Sequence, residues 1–182
     1  MTNSTTSTVI AATRSREEFE TALRSEVSII FDLNPDILTL CEVTKMAHAA
    51  KKKLFIHLDL AQGIGKDKCG IAYAKGLGVD GIISTRVNII RAAKELGLFT
   101  VQRFFIVDSH SVDTSLEALR ASRADMIEVM PGIAYKAIAK LCTLTSVPII
   151  AGGLIEQKSE ITQAMTHGAA AISTGMQALW RG

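Results

Sequence analysis

The feature that most constrains this chain is the regular alternation, from end to end, of short apolar runs with amphipathic segments. Eight runs of four to six residues are rich in Val, Ile and Phe and mostly lack alternating polarity, which is typical of strands buried on both faces. The predicted strands are Val9–Thr13, Ser28–Leu33, Leu54–Asp59, Gly81–Thr85, Phe99–Phe104, Met126–Val129, Pro148–Ala151 and Ala170–Ser173. Apolar residues at helical spacing predict helices between them. These helices are Arg16–Ser25, Asp36–Ala50, Asp67–Gly76, Arg86–Leu96, Ser111–Ala121, Tyr135–Leu141 and Glu156–His167.

The strand–helix repeat indicates a parallel sheet built from βαβ units. Eight such units imply a closed barrel, although 182 residues is short beside the ~250 typical of that fold. The alternative is an open doubly wound sheet, which usually has a glycine-rich turn after its first strand. Here that turn, residues 12–15, contains no glycine. We therefore predict a single-domain α/β TIM-like (β/α) barrel over residues 9–182, with short helices and loops and seven or eight regular strands. A flexible Thr/Ser-rich tail, residues 1–8, precedes it.

Composition narrows the class of protein further. Aromatic residues make up 5% of the chain, which argues against a base-stacking platform, and a net charge of +2 neither indicates nor excludes a local basic face. No apolar run approaches the ~20 residues of a membrane span, and the start lacks the layout of a secretory signal. We expect a cytoplasmic protein. Cys41, Cys69 and Cys142 are widely spaced, which predicts free buried thiols. No group of residues has metal-ligand spacing, so we expect neither metal nor cofactor.

Two glycine-rich turns follow the last two predicted strands and suggest a phosphate site. Glycine lets backbone N–H groups approach an anion closely, and many barrels bind phosphate with the loops after strands seven and eight. The alternative is that these are simply tight turns. The predicted phosphate-binding residues are Gly152, Gly153, Ser173, Thr174 and Gly175.

Polar residues at other strand ends predict the rest of a ligand site. His57 and Asp59 share one face of strand three, and their apolar neighbours suit the helix-packed face, so both should line the interior. An interior hydrogen-bonded pair without a ligand is the alternative. Arg103 suits a phosphate or carboxylate, but it could equally pair with Glu128. The predicted ligand-lining residues are His57, Asp59, Ser84, Arg103 and Glu128.

The chain lacks the usual signatures of a catalyst. No lysine lies inside a predicted strand where a Schiff base would form, and no GxSxG motif is present. These absences argue against Schiff-base and serine-nucleophile chemistry. Acid–base chemistry by His57, Asp59 or Glu128 leaves an alternative, which is an isomerase, lyase or aldolase acting on a small sugar or triose phosphate.

Several strings, in this order, resemble the glycerol-3-phosphate-responsive antiterminators, the glycerol uptake operon antiterminator regulatory proteins. The strings are His57–Leu60, Asp80–Thr85, Thr100–Phe105, Asp108–Ser109, Ile127–Gly132, Ile150–Ile155 and Leu179–Trp180. The resemblance implies a barrel that binds glycerol 3-phosphate and, when liganded, acts on the leader mRNA of a glycerol-utilisation operon to prevent premature termination. It implies a regulator and not a catalyst.

The resemblance also implies roles for residues at matching positions. Gly152, Gly153, Thr174 and Gly175 would cradle the phosphate, and the glycerol would contact the interior residues. Those interior residues are His57, Asp59, Arg103 and Glu128. One departure is Phe31–Pro35, where a turn with more glycine would be expected, so no role is assigned to that loop.

Two faces of the barrel carry candidate RNA contacts. The candidates near the ligand end are Lys66, Lys68, Arg86 and Lys136. The candidates at the opposite end are Lys51, Lys52 and Lys53, which precede strand three, and Arg120 and Arg123, which occupy the equivalent place before strand six. Cations at helix carboxyl ends are also ordinary partners of the helix dipole, so both faces stay open. The expected partners are glycerol 3-phosphate and leader mRNA, without DNA or membrane, and a homo-oligomer is compatible with the sequence.

Overall fold

The computed structural model describes residues 8–181, which form one closed barrel of parallel strands in the order of the sequence. The strands are β1 Val9–Thr13, β2 Ile29–Asp32, β3 Lys53–His57, β4 Gly81–Ser84, β5 Phe99–Phe105, β6 Met126–Met130, β7 Ile149–Gly152 and β8 Ala171–Thr174. Strand β8 pairs with β1, which closes the barrel. The predicted TIM-like (β/α) barrel is confirmed, with eight strands.

Short helices follow the first seven strands, as the length of the chain requires. They are α1 Arg16–Arg24, α2 Leu40–Ala49, α3 Lys68–Gly76, α4 Val87–Glu95, α5 Ser109–Ser122, α6 Tyr135–Leu144 and α7 Lys158–Thr166. Two 3-10 turns, Leu58–Leu60 and Gln177–Leu179, follow β3 and β8. The described helices have 9 to 14 residues, and none is long and apolar enough to cross a membrane.

Several predicted bounds differ from the observed ones, and the start of α2 and the end of β3 differ for local reasons. Helix α2 begins at Leu40 and not at Asp36, because the Asp36 carboxylate accepts the Leu38 N–H at 2.8 Å and holds a turn that competes with the helix. Strand β3 ends at His57, because residues 58–60 turn into a 3-10 helix. Of the predicted tail, residues 1–7 lie outside the described residues, and the Thr8 carbonyl accepts the Ile172 N–H at 2.8 Å.

Alternation along each strand divides the core between the barrel interior and the helix layer. The interior cluster consists of Ile10, Ala12, Phe31, Leu33, Phe55, Ile83, Val101 and Ile150. Because side chains two residues apart share a face, His57 follows Phe55 on the interior side, Arg103 follows Val101, and Gly152 follows Ile150. His57 and Gly152 are the last residues of β3 and β7, and Arg103 lies two residues before the end of β5; we call this carboxyl end of the barrel the mouth. Apolar packing therefore fills the lower barrel, and polar groups lie at its mouth.

The cysteines are free, but the prediction that they are buried is wrong. Cys41 is half-buried, and Cys69 and Cys142 are exposed. All three lie on helices and not on the strands that supply the interior. Among residues 8–181, no group of His, Cys, Asp and Glu is arranged to hold a metal ion.

Candidate functional site

A buried ion pair joins the neighbouring strands β5 and β6 below the mouth. Arg103 and Glu128 are directly in register on β5 and β6, and Arg103 Nε donates to Glu128 Oε2 at 2.7 Å. Arg103 is 6% exposed and Glu128 is 1% exposed. Each charge at this depth needs its partner, which accounts for the pairing. A guanidinium has five N–H donors, so Arg103 can still donate to a further group.

Gly152 makes room for the other oxygen of this carboxylate. A Cβ at Gly152 would lie 2.3 Å from Glu128 Oε1 and 2.9 Å from its Cδ. No side chain larger than hydrogen fits there unless Glu128 moves. The glycine that the sequence assigns to phosphate therefore has a second role, which is to admit the Glu128 carboxylate to the mouth.

His57 is the third interior polar group, and the structure places it as predicted. It is 4% exposed, and its Nδ1 is buried with no hydrogen-bond partner among the described residues. Burial, together with the positive charge of Arg103, lowers the pKa of His57 to about 4, although the Asp59 carboxylate opposes that change. The ring is therefore neutral at pH 7. A buried ring nitrogen without a partner is costly, which suggests that a ligand or water supplies the missing hydrogen bond.

Asp59 was predicted to lie beside His57 on the interior face. It does not, because β3 ends at His57 and Asp59 lies in the 3-10 turn that follows. Its carboxylate instead accepts hydrogen bonds from the Ser84 hydroxyl at 2.7 Å, the Thr85 N–H at 2.7 Å and the Thr85 hydroxyl at 2.9 Å. Burial raises the pKa of Asp59, but these hydrogen bonds outweigh that effect and hold the pKa below its ordinary value. Asp59 and Ser84 thus join the loops after β3 and β4, and the carboxylate has little remaining capacity for a ligand.

The turns after β7 and β8 present unused backbone donors at the mouth. Gly153 and Leu154 are successive residues with positive φ, +76° and +58°. The N–H groups of Gly153, Leu154 and Gly175 donate to no acceptor in the described part of the chain. Ser173, on the interior face of β8, is 2% exposed, and its hydroxyl has no hydrogen-bond partner there either. Clustered free N–H groups in a turn are a common anion-binding arrangement.

Thr174 joins these two turns. Its hydroxyl donates to the Ile155 carbonyl at 2.6 Å and accepts the Met176 N–H at 3.0 Å, and its carbonyl accepts the Trp180 indole N–H at 2.8 Å. The hydroxyl is thus engaged within the protein. Thr174 therefore positions the turns, and the free donors around it are left for a ligand.

Arg14 is a mouth residue that the sequence reasoning did not select. A Cβ at Gly175 would lie 3.4 Å from Arg14 Nη1, so the guanidinium lies beside the turn after β8. Closure of the barrel explains this position, because β1 pairs with β8 and the residue after β1 meets the turn after β8. Arg14 forms no ion pair with residues 8–181. A polar residue directly after the first strand was the available signal.

Three of the four predicted RNA-contacting cations at the mouth have partners within the protein. Lys66 Nζ donates to the Ala61 carbonyl at 2.8 Å, Lys68 Nζ lies 3.8 Å from Glu95, and Arg86 Nε lies 3.7 Å from Asp59. Lys136 is exposed at the start of α6.

The three consecutive lysines that lead into β3, residues 51–53, differ in their exposure to solvent. Lys52 is 7% exposed, and its ammonium donates to the carbonyls of Ser25, at 2.7 Å, and Val27. Burial lowers the pKa of Lys52. Its side chain therefore holds the α1–β2 connection and is not available to RNA, whereas Lys51 and Lys53 are exposed.

The fold and the site define an eight-stranded TIM-like (β/α) barrel with a polar site at the carboxyl ends of its strands. The sequence profile described as "Glycerol-3-phosphate responsive antiterminator" matches residues 9–180. The chain therefore belongs to that family, which supports a regulatory role. It is 34% identical over 173 residues to the uncharacterized protein YgcP of Escherichia coli strain K12, and the match covers 94% of this chain and 91% of YgcP.

Two solved structures are similar to this one over almost the whole chain. The glycerol uptake operon antiterminator regulatory protein of Listeria monocytogenes strain 4b F2365 is 31% identical, with a TM-score of 0.91 and coverage of 99% of this chain and 97% of that chain. A glycerol uptake operon antiterminator-related protein of Thermotoga maritima is also 31% identical, with a TM-score of 0.84 and coverage of 94% and 96%.

Proposed function

We propose that the mouth binds glycerol 3-phosphate and that the liganded protein acts on the leader mRNA of a glycerol-utilisation operon to prevent premature termination. The proposal rests on two different sets of polar groups that lie side by side at the mouth. Free backbone donors and Arg14 lie on one side of the mouth, and His57 with the Arg103–Glu128 pair lies on the other. This arrangement suits a small molecule with an anionic end and a hydroxylated end.

The phosphate would lie between the turns after β7 and β8. The N–H groups of Gly153, Leu154 and Gly175 lack acceptors within the described residues, and the Arg14 guanidinium supplies the compensating charge. Hydrogen bonds to an ionised group are about twice as strong as neutral ones, and a guanidinium matches phosphate geometry. The Ser173 hydroxyl, at the end of β8, could donate to the same group.

The glycerol hydroxyls would lie over the interior triad. A neutral His57 ring can donate or accept, Glu128 accepts, and Arg103 donates. A ligand hydroxyl that bonds His57 Nδ1 would satisfy a nitrogen that otherwise lies buried without a partner. Because the site would bind both the phosphate end and the hydroxyl end of the ligand, it should prefer glycerol 3-phosphate to glycerol or inorganic phosphate alone.

The same geometry supports binding without turnover. Glu128 is held by Arg103, and Asp59 accepts three hydrogen bonds from neighbouring loops. Neither carboxylate is free to exchange a proton readily with a substrate. Within the described strands, the one lysine is Lys53, which is exposed at the start of β3 and distant from the mouth. We therefore propose that this protein has no enzymatic activity and needs no cofactor.

Calorimetric titration with glycerol 3-phosphate, glycerol and inorganic phosphate tests the ligand. Arg14→Gln should weaken glycerol 3-phosphate binding by roughly 10- to 100-fold, since a hydrogen bond to a charged group contributes about 1.5–3 kcal/mol. Arg24→Gln is the matched control, because it removes the same charge from the opposite end of α1. Equal effects of the two substitutions, or no binding by the unaltered protein, would refute the proposed site.

Gly175→Asp tests the phosphate turn more directly. Gly175 does not have a positive φ, and its nearest neighbour is Arg14 at 3.4 Å, so a larger side chain fits without backbone strain. The added carboxylate should pair with Arg14 and repel phosphate, which abolishes ligand binding while the melting temperature stays near that of the unaltered protein. Gel shifts of leader mRNA with and without glycerol 3-phosphate test the output, and consumption of the ligand during incubation would favour an enzyme instead.

A further inference from the structure

The amino-terminal end of the barrel, opposite the mouth, carries a groove across α4, α5 and α6. A cleft of about 520 Å³ is lined by Arg91, Lys94, Glu95, Arg120 and Arg123, among others. A smaller cleft of about 180 Å³ adjoins it and is lined by Leu116, Leu119, Leu144 and Val147. Arg120 and Arg123 line both clefts, so the two form one groove, which we call the amino-end groove.

Three of the cations in this groove are not neutralised. Arg91, Arg120 and Arg123 are exposed, and none of them forms an ion pair with residues 8–181. The other charges of the cleft have partners, since Lys94 pairs with Asp125 and Glu95 with Lys68. The groove therefore presents a net positive charge of three guanidinium groups to solvent.

One of these arginines has a backbone conformation that another residue adopts at lower cost. Arg123 ends α5 with a left-handed φ of +57°, a conformation that glycine adopts at the least cost. Gly78, Gly97 and Gly168 occupy positive-φ positions just after α3, α4 and α7, and Lys51 occupies one after α2. The chain thus places an arginine where local stability favours glycine, and that arginine lines both clefts.

The floor of the smaller cleft is apolar and partly open. Leu144 is 48% exposed, and Leu116, Leu119 and Val147 surround it. This combination suits a single-stranded nucleic acid, because its phosphates bind cations and its unstacked bases stack on planar groups such as guanidinium and pack on apolar surface. Arginine serves both purposes, since its planar group binds phosphate and stacks on bases.

We propose that the amino-end groove binds a single-stranded segment of the leader mRNA, with phosphates on Arg91, Arg120 and Arg123 and a base on the apolar floor. This placement rests on the proposed function, and it selects one of the two faces that the sequence leaves open. Three of the four candidate cations at the mouth already have acceptors within the protein, whereas those of the groove do not.

Helix α5 connects the groove with the ligand site. It begins at Ser109, just beyond the strand that carries Arg103, and its last turn carries Arg120. Its 14 residues span about 21 Å at 1.5 Å per residue. A ligand that repositions the start of α5 at the mouth would shift both arginines at its other end, which gives the ligand a route to the RNA contacts.

The test compares two triple variants of equal charge. Arg91→Gln/Arg120→Gln/Arg123→Gln removes the free cations of the groove, and Lys45→Gln/Lys140→Gln/Lys158→Gln removes three exposed cations from α2, α6 and α7. Binding of a leader transcript is measured at several salt concentrations with saturating glycerol 3-phosphate, and calorimetry measures glycerol 3-phosphate affinity separately.

The groove variant should lose about 2 units of the slope of log affinity against log salt, since each phosphate contact on a single strand contributes ~0.7. At 0.1 M salt this corresponds to about a hundredfold weaker binding. Its glycerol 3-phosphate affinity and the RNA binding of the lysine variant should stay unchanged. Unaltered RNA binding by the groove variant, or an equal loss in the lysine variant, would overturn this placement while leaving the proposed function intact. Absence of RNA binding by the unaltered protein would overturn both.

Discussion

Gly152→Ala is the substitution whose effect follows most directly from the geometry of the mouth. The added methyl group would lie 2.3 Å from Glu128 Oε1, so the carboxylate must retreat by roughly 1 Å to reach an ordinary van der Waals contact. A retreat of that size stretches the 2.7 Å hydrogen bond from Arg103 beyond hydrogen-bonding range. Gly152 does not have a positive φ, so the backbone itself accepts alanine and the effect is one of space.

The magnitude follows from these two changes. Overpacking a buried site costs about 1–3 kcal/mol, and loss of a hydrogen bond between charged groups costs about 1.5–3 kcal/mol. Because one movement of Glu128 causes both, we expect a loss of about 3 kcal/mol in the free energy of unfolding. For a chain of this length that is a fall of about 6–12 °C in melting temperature. Urea and thermal unfolding followed by circular dichroism measure it.

Gly76→Ala is the matched control for this experiment. Gly76 is the last residue of α3, and a Cβ there meets nothing within 4 Å. The same added methyl group should stabilise the protein by about 0.5–1 kcal/mol, because glycine is unfavourable in a helix. The reasoning is refuted if Gly152→Ala melts at the temperature of the unaltered protein or shifts in the same direction as Gly76→Ala.

Three further predictions concern charges near the mouth. Burial raises the pKa of Asp32 to about 6, so ionisation of Asp32 weakens the fold as pH rises from about 4 to 6. Asp32→Asn should therefore increase the free energy of unfolding at pH 7 by up to about 3 kcal/mol, measured by urea unfolding. An unchanged free energy of unfolding would contradict this prediction. The pKa of His57 is lowered to about 4, so the stability contributed by the neutral ring is lost as pH falls from about 6.5 to 4. His57→Gln should reduce this dependence of the free energy of unfolding on pH, and an unchanged dependence would contradict the prediction. Arg103→Met or Glu128→Leu alone should cost about 3–5 kcal/mol, because each leaves a buried charge unpaired. The double variant should cost less than either, and a strictly additive double-mutant cycle would exclude the coupling.

The fold could be predicted because its main determinant is local. Strands buried on both faces and helices of 9–14 residues leave their periodicity in the sequence, and eight repeats allow closure. Boundaries failed where a side chain competed with the backbone pattern, as at Asp36, or where a strand ended early, as after His57. The cysteines were misplaced for another reason, since their general tendency toward burial does not fix which helix face they occupy.

The site was harder to predict than the fold, because it depends on contacts between distant segments. His57 was predicted to line the interior because strand alternation places it there, and Arg103 and Glu128 were predicted to line the ligand site because they lie near the ends of their strands. Arg14 was missed because its proximity to Gly175 exists only after β1 closes against β8. The steric reason for Gly152 also required the packed side chain of Glu128, which lies on the neighbouring strand.

The position of Trp180 has a practical consequence. It is the one tryptophan of the chain, it is 1% exposed, and its indole N–H donates to the carbonyl of Thr174, immediately before the Gly175 turn. Indole emission depends on the hydrogen bonding and polarity around the ring, so an anion that settles on the turn should change the fluorescence of the unlabelled protein. The intrinsic fluorescence of Trp180 should therefore report binding at the proposed phosphate site, and titrations need no dye.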